Sequence, residues 1–164
     1  MIVVSDTSAI SSLLVINRLD LLEKVYGHVI IPRVVLEEIL ALENFGYDIS
    51  AIHEASWLEI TEPSNRELEA ELHKFLDAGE SAAIALAKEL NPDYLIIDEK
   101  KGREAAKILG VAIIGLVGIL IEAKEQKIIT QVKPILDELM EKAGFRISST
   151  FYSYILNQID ESPI

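Results

Sequence analysis

The chain has 164 residues, half of them apolar, which is enough to bury the core of one domain and excludes an intrinsically disordered protein. It has no cysteine, which excludes disulfides and thiolate metal sites, and only three histidines, which argues against structural zinc. The net charge of −12 counts against tight binding of nucleic acid through a basic surface alone, although bound metal ions or a basic partner protein could neutralise acids and phosphate.

Both membrane insertion and secretion are disfavoured by the sequence. The N-terminus lacks the basic residues and long apolar core of a signal peptide. The longest apolar run, residues 111–121, is far shorter than the ~20 residues that span a bilayer. We therefore expect a cytoplasmic protein that does not associate with a membrane.

Short apolar runs rich in β-branched residues alternate along the chain with helical patterns. In chain order, the sequence predicts a strand at 2–4, a helix at 19–26, a strand at 29–31, a helix at 34–42, an edge strand at 57–60, a helix ending near 75, a helix at 81–90, a strand at 94–97, a helix at 99–109, a strand at 111–114, and helices at 115–127, 132–143 and 149–158. No repeat and no clear linker interrupts this order.

Four local signals define the expected helix boundaries. Pro32 suits the first position of a helix. The segments 64–67 and 77–80 both have the form of a capping box, in which the first and fourth residues satisfy each other's backbone N–H groups. Gly110 suits the left-handed residue that ends a helix.

Strands that are apolar throughout are typical of a parallel sheet covered by helices on both faces. The sequence therefore predicts an α/β fold with a parallel sheet of about four to five strands. We expect a single domain over residues 1–164, with a C-terminal helical part from about 116 to 164 packed on it. Ligands of such folds bind beyond the carboxyl ends of the strands.

Two of the predicted strands end in an aspartate, Asp6 and Asp98. If both strands are central in the sheet, the two carboxylates emerge at one edge, within reach of a shared ion. The alternative for each is that it only caps the helix that follows. The equivalent positions at the ends of two buried strands favour function.

Glu38 lies inside an apolar arc of its predicted helix, between Val34 and Leu42 on a helical wheel, whereas Glu37 lies on the polar side. A carboxylate that faces the core is costly unless it is paired or binds a metal ion. The alternative is a helix that frays or turns outward before Glu38 is buried. Glu38 is therefore the candidate ligand, and Glu37 the solvated residue.

Glu80 opens a nearly unbroken apolar helix, and a capping role with Asp77 explains it as well as a functional one. That helix must be buried, so its first turn is expected near the edge of the sheet. Glu99, next to Asp98, is a fifth candidate acid.

Carboxylate oxygens suit hard cations such as Mg²⁺ or Mn²⁺, which can orient a water molecule and stabilise the leaving oxygen in phosphodiester hydrolysis. The hydroxyls of Thr7 and Ser8 could position a ligand or phosphate. Lys100, Lys101 and Arg103 form a basic run that could contact a nucleic-acid backbone, although a solvated helical face explains each one alone.

At these residues the sequence resembles the PIN domain family of metal-dependent ribonucleases, which includes many prokaryotic toxins. The resemblance covers nearly the whole chain and is carried by the order and spacing of four segments, residues 4–8, 31–38, 77–87 and 95–98. Two later stretches, from residue 115 and over 134–139, are similar to a PIN-like subgroup of poorly characterised bacterial and archaeal proteins.

The resemblance implies a PIN-like fold and a Mg²⁺- or Mn²⁺-dependent ribonuclease, with Asp6, Glu38, Glu80 and Asp98 as the catalytic metal-binding acids and Ser8 as a supporting hydroxyl. It also implies RNA as substrate, a homodimer and, as in the toxin members, an antitoxin partner. Glu80 departs from the pattern, since many members of the family have Asp at this position. Its longer side chain could shift the metal ion or weaken its binding.

Two other functions compete with this interpretation. The first is a phosphotransfer or phosphatase domain, since these also place Asp at strand ends, but both types fit this sequence worse. Aspartate-nucleophile phosphatases usually carry a second Asp two residues after the first, where this chain has Ser8. Receiver domains require a Lys at the end of a late strand, where this chain has Gly115. The other alternative is a binding or regulatory module that keeps the fold with little activity, which the negative charge favours.

Overall fold

Five short strands form one parallel sheet in the computed structural model, which describes residues 1–161. The strands are β1 (Val3–Ser5), β2 (Val29–Ile31), β3 (Leu58–Ile60), β4 (Tyr94–Ile96) and β5 (Ile113–Ile114), in the spatial order β3-β2-β1-β4-β5. Every adjacent pair is parallel. All strands therefore present their carboxyl ends at the same edge, and the central strand is β1.

The helices that connect the strands are mostly short. They are α1 (Thr7–Val15), α2 (Asp20–Tyr26), α3 (Arg33–Leu40), α4 (Ser50–His53), α5 (Arg66–His73), α6 (Ala78–Leu90), α7 (Lys100–Ile108), α8 (Leu116–Glu125), α9 (Lys133–Lys142) and α10 (Ser149–Gln158), with a 3-10 helix at Ala41–Phe45 after α3. None of them is long and apolar enough to cross a bilayer.

Side chains on the two faces of the sheet belong to two hydrophobic clusters. Val3 and Ile96 pack with α1, α2, α3, α8 and α9 on one face. Val4, Leu95 and Ile97 pack with α5, α6 and α7 on the other. Successive residues of a strand point to opposite faces, so a strand covered on both sides must be apolar at every position. This confirms the predicted α/β fold with helices on both faces, and it explains the uninterrupted apolar runs.

The predicted strands all form, and the one at Leu58–Ile60 lies at the edge of the sheet as expected. Two helices were not predicted. The first, α1, has the sequence Thr-Ser-Ala-Ile-Ser-Ser-Leu-Leu-Val, whose serines favour turns and hide its apolar face. The second, α4, has only four residues.

Two of the predicted helix starts are wrong by one residue. Pro32 is extended, with ψ of 156°, and precedes α3 instead of opening it. The box expected at 64–67 does not form, because Asn65 caps α5 and its side chain accepts the Leu68 N–H at 3.0 Å. The box at 77–80 is confirmed, and Gly110 has the expected positive φ of 76° after α7.

Candidate active site

Four acids lie around the carboxyl ends of the two central strands. Asp6 directly follows β1, and Asp98 follows β4. The backbone N–H of Asp6 donates to the carbonyl of Ile96 at 3.1 Å, which ties the two strand ends together. Glu38 comes from α3 and Glu80 from the first turn of α6. The topology thus brings together residues that are up to 92 positions apart in the sequence, counted from Asp6 to Asp98.

Asp6 is only 1 % exposed, and neither of its carboxylate oxygens has a hydrogen-bond partner. It occupies the position before α1, but its side chain makes no capping hydrogen bond. Burial, and then the charges of Asp98 and Glu80, raise the pKa of Asp6 well above its ordinary value, against the lowering effect of the nearby Ala9 N–H. The capping alternative therefore does not explain this residue, because a buried carboxylate without partners is costly.

Glu80 uses its two oxygens differently. Its Oε1 accepts the Asp77 N–H in a long bond of 3.4 Å, which completes the capping box, while its Oε2 is buried without a partner. Burial, and then the neighbouring Asp77 side chain, raise the pKa of Glu80 to about 7. The longer Glu side chain can thus cap α6 with one oxygen and direct the other inward, which gives a structural reason for Glu at this position.

Glu38 is half-buried and Glu37 is exposed, in keeping with the helical wheel. The Thr7 hydroxyl donates to Glu38 Oε2 at 3.0 Å, so the first residue of α1 orients this carboxylate. Burial raises the pKa of Glu38, against the lowering effect of the Thr7 hydrogen bond. Gly79 makes room for it, because a Cβ there would lie 2.7 Å from Glu38 Oε1.

Asp98 is held from two sides. Its carboxylate accepts the backbone N–H of Leu116, at the start of α8, at 3.2 and 3.4 Å. Burial raises the pKa of Asp98, against the opposing effects of this hydrogen bond and of the Arg103 guanidinium. Gly115 leaves the space that the carboxylate fills, because a Cβ there would overlap with Asp98 Oδ1.

The remaining candidates from the sequence lie on the solvent side of these acids. Ser8, Glu99 and Lys100 line a cavity beside Asp98, and Glu99 occupies the position before α7. Arg103 also lines it, but its guanidinium donates to the carbonyl of Ile97 at 2.8 Å and so braces the end of β4. Lys101 is exposed and does not line this cavity.

Several supporting residues were not predicted from the sequence. Asp77 adds negative charge beside Asp6, Glu38 and Glu80. Gly102 leaves space next to Glu80, since a Cβ there would lie 2.7 Å from Glu80 Oε2. A glycine inside a helix weakens it, so the glycine in the first turn of α7 was a usable signal that something must approach closely.

No three Asp, Glu or His side chains in residues 1–161 are placed so that they could hold a metal ion together as they stand. The four acids thus share an edge of the sheet without forming a closed cage. Three buried carboxylate oxygens of these acids nevertheless lack partners, both of Asp6 and Oε2 of Glu80. Mg²⁺ is usually bound by one or two carboxylates, with water and phosphate completing its shell. This set of oxygen donors therefore fits a hard divalent cation.

Comparisons with known proteins agree with this fold. Residues 2–161 match the model of the family DUF3368, described as a PIN domain. The chain belongs to the PIN domain family. The PIN domain fold is typically that of a nuclease.

The PIN domain is also similar to a solved structure, that of a PilT N-terminus domain protein from the hyperthermophilic archaeon Sulfolobus solfataricus P2. The TM-score is 0.51 and the sequence identity 23 %, over 75 % of this chain and 93 % of the other. At this identity the similarity supports the fold alone. No match was found among curated proteins.

Proposed function

We propose that this PIN domain is a Mg²⁺- or Mn²⁺-dependent ribonuclease that hydrolyses phosphodiester bonds of single-stranded or structured RNA. The observation that carries the proposal is the Asp6 carboxylate, which is buried without a hydrogen-bond partner beside the charges of Asp98 and Glu80. Such an arrangement raises the free energy of the folded protein unless a cation neutralises it. A purely structural role offers no reason to retain it.

Three of the four proposed ligands are oriented by a hydrogen bond, and Asp6 is held by burial alone. Asp6 and Glu80 supply the partnerless oxygens, Glu38 is fixed by Thr7, and Asp98 by the Leu116 N–H. A divalent ion held there would lower the pKa of an attacking water and neutralise charge on the phosphate. The substrate phosphate itself would complete a coordination shell that the side chains leave open.

The protonation of Glu80 links the site to pH. With a pKa of about 7, Glu80 holds a proton in part of the molecules at neutral pH. Because carboxylate ligands must be deprotonated, the affinity for the cation should rise with pH through this range. Raising the pH should therefore favour the loaded enzyme.

The direct test is cleavage of mixed-sequence RNA by the purified protein with Mn²⁺ or Mg²⁺. We expect cleavage that EDTA abolishes and that Asp6→Asn loses by at least ~100-fold. Asp48→Asn, prepared in parallel, removes an exposed aspartate and should keep full activity. Cleavage by Asp6→Asn at the native rate would reveal a contaminating ribonuclease or a site elsewhere, and would overturn the proposal.

A second candidate function is a PIN-fold binding or regulatory module with little activity. It is favoured by the lack of a closed group of three acids in residues 1–161 and by the net charge of −12. Calorimetric titration with Mn²⁺ separates the two. Ion binding that accompanies no cleavage of any RNA would support the module, whereas metal-dependent cleavage would exclude it.

The resemblance to toxin members of the family is the ground for two partner proposals, a homodimer and an antitoxin protein that blocks the active site. Light scattering coupled to gel filtration tests the first, with a mass twice that of the 18.2 kDa chain as the expected result. Inhibition of RNA cleavage by a co-expressed protein tests the second.

A further inference from the structure

A cleft of about 1030 Å³ opens beside Asp98, and the other three acids do not line it. One wall comes from the site itself, with Ser8, Asp98, Lys100 and Arg103. A second part of its lining, the C-terminal wall, comes from the end of the chain, with Phe145, Arg146, Ile147, Phe151 and Ile155. Of the four acids only Asp98 lines the cleft, so the cleft begins where the proposed cleavage site ends.

The cations of the cleft stand out in an acidic protein. Lys100, Arg103 and Arg146 all line it, and none of them has a carboxylate within ion-pair distance in residues 1–161. Neighbouring basic side chains of α9 are paired, such as Lys142 with Glu138 at 3.4 Å. Arg103 is already bound to the carbonyl of Ile97, and Asp98 and Glu99 also line the cleft, so the cations available to an anionic ligand there are Lys100 and Arg146, in a chain with net charge −12.

Apolar side chains lie next to these cations. Phe151, on the first turn of α10, is 39 % exposed, and Phe145 and Ile147 are partly buried against the core. An exposed aromatic face beside basic groups is the combination that binds single-stranded nucleic acid, since the bases stack on the ring and the phosphates meet the cations. A paired base cannot reach such a face.

The C-terminal wall is held in place by hydrogen bonds. The Ser148 side chain caps α10 by accepting the Phe151 N–H at 3.0 Å. Asp137 of α9 accepts the Tyr152 hydroxyl and pairs with Lys133 at 2.8 Å. Phe151 is therefore presented on a fixed element, which lowers the entropy lost on binding.

We propose that this cleft binds the nucleotides that flank the scissile phosphate in a single-stranded RNA, with Arg146 and Lys100 on backbone phosphates and Phe151 stacked on an unpaired base. The proposal rests on the proposed function for its choice of RNA. It assigns the C-terminal segment 145–155 a role in substrate selection, in favour of unpaired RNA.

The test measures binding separately from cleavage. The full-length protein is titrated into a fluorescein-labelled single-stranded RNA of about 12 nucleotides, in EDTA and ~50 mM salt, and the anisotropy is recorded. Phe151→Ala should weaken binding roughly 5- to 100-fold. Arg146→Gln should weaken it about 3- to 10-fold and lower the slope of log K against log salt by about 1. A duplex of the same sequence should bind more weakly than the single strand.

Matched controls lie outside the cleft, one on α10 and one at the end of α9. Tyr154→Ala removes an aromatic residue of α10 that is 59 % exposed, and Lys142→Gln removes a paired cation of α9. Both variants should bind as the native protein does. If Phe151→Ala lowers the melting temperature, Phe151→Leu keeps the apolar contacts and should still lose affinity, and Phe151→Tyr should restore it.

The outcomes separate this proposal from the nuclease function. If Phe151→Ala and Arg146→Gln bind RNA with native affinity, or if duplex and single strand bind equally, the proposed role of the cleft is overturned. This holds even if Mn²⁺-dependent cleavage is found. If binding depends on the cleft residues but no RNA is cleaved, the proposed role of the cleft is supported and the proposed nuclease function is refuted. Equal losses in the variants and in their controls would also overturn the cleft, because they would show an unspecific effect of charge or folding.

Discussion

Glu37 and Glu38 are adjacent and chemically identical, so they isolate the effect of position on one helix. Glu38→Gln should lower nuclease activity by at least ~100-fold, because it removes charge from the site. Glu37→Gln should stay within about twofold of the native rate, because Glu37 is exposed. The measurement is the cleavage rate of one RNA under identical conditions, with matched circular dichroism spectra. An inactive Glu37→Gln beside an active Glu38→Gln would contradict the assignment.

Replacing Asp98 tests whether metal binding at the site stabilises the folded protein. An ion that binds only the folded protein stabilises it by ~2.7 kcal/mol at 100 times its Kd, which corresponds to a rise in Tm of about 5–10 °C for a domain of this size. Asp98→Asn should show a clearly smaller rise with Mn²⁺. Its amide oxygen can still accept the Leu116 N–H, so the fold should persist. Equal shifts in both proteins would indicate an unspecific salt effect.

At the scale of elements, close contact between α6 and α3 depends on a missing side chain. In Gly79→Ala the new methyl group would lie 2.7 Å from both Glu38 Oε1 and Thr7 Oγ1, so the carboxylate must move. Alanine is the better helix former by up to ~1 kcal/mol. Because this gain opposes the cost of displacing the Glu38 carboxylate, the overall stability should be nearly unchanged. We expect activity to fall at least ~10-fold at a similar Tm. Thr7→Val, which removes the hydrogen bond to Glu38 without adding volume, should show a parallel loss; full activity in both would exclude Glu38 from the site.

The start of α9 depends on a carboxylate from beyond α10. Glu161 is only 8 % exposed and accepts the N–H groups of Val132 at 2.7 Å and Lys133 at 2.8 Å, and it pairs with Lys124 at 2.9 Å. Glu161→Ala leaves these donors unsatisfied and should destabilise the protein by about 2–4 kcal/mol. Thermal unfolding measures the effect. Glu138→Ala, which breaks an exposed ion pair of α9, should change stability by less than about 1 kcal/mol, and an equal loss would argue against the capping role of Glu161.

At the scale of the whole molecule, the site should make the metal-free protein less stable as pH rises. Burial raises the pKa of Asp6, Glu80 and Asp98, so the folded protein keeps protons that the unfolded chain has lost. Stability falls with pH wherever the folded state binds more protons. For Glu80 the loss of folding stability is complete above about pH 7, the pKa of this residue in the folded protein. No stability is lost below about pH 4, where the carboxyls of the unfolded chain are protonated as well.

We therefore expect Tm in EDTA to rise as the pH is lowered from about 8 to about 5. The carboxylates whose pKa is lowered are Asp20, Asp48, Glu62, Asp137 and Glu161. They contribute stability that is lost only at lower pH, below this window. Asp6→Asn should be more stable than the native protein at pH 8 in EDTA and should depend less on pH. A Tm that falls steadily from pH 8 to 5 in the native protein would contradict the assignment.

Local patterns in the sequence determined the strands, the two strand-end aspartates and the buried side of α3. The reason is that periodicity reports how many faces of an element are covered, and a fully apolar run must be covered on both. They did not reveal α1, whose serines mask its helical pattern, or the cap at Asn65, because neighbouring polar residues compete for the same backbone donors.

Only the tertiary structure decided how the site is assembled. Thr7 meets Glu38, Asp98 meets the Leu116 N–H, and glycines leave the spaces that the carboxylates fill, all through contacts between distant segments. The cleft likewise joins Asp98 to Arg146 and Phe151, which the linear pattern shows only as an ordinary helical region. Sequence patterns record each residue's own burial and backbone preference, whereas partners and empty space depend on the strand order β3-β2-β1-β4-β5 and on the packing of helices across it.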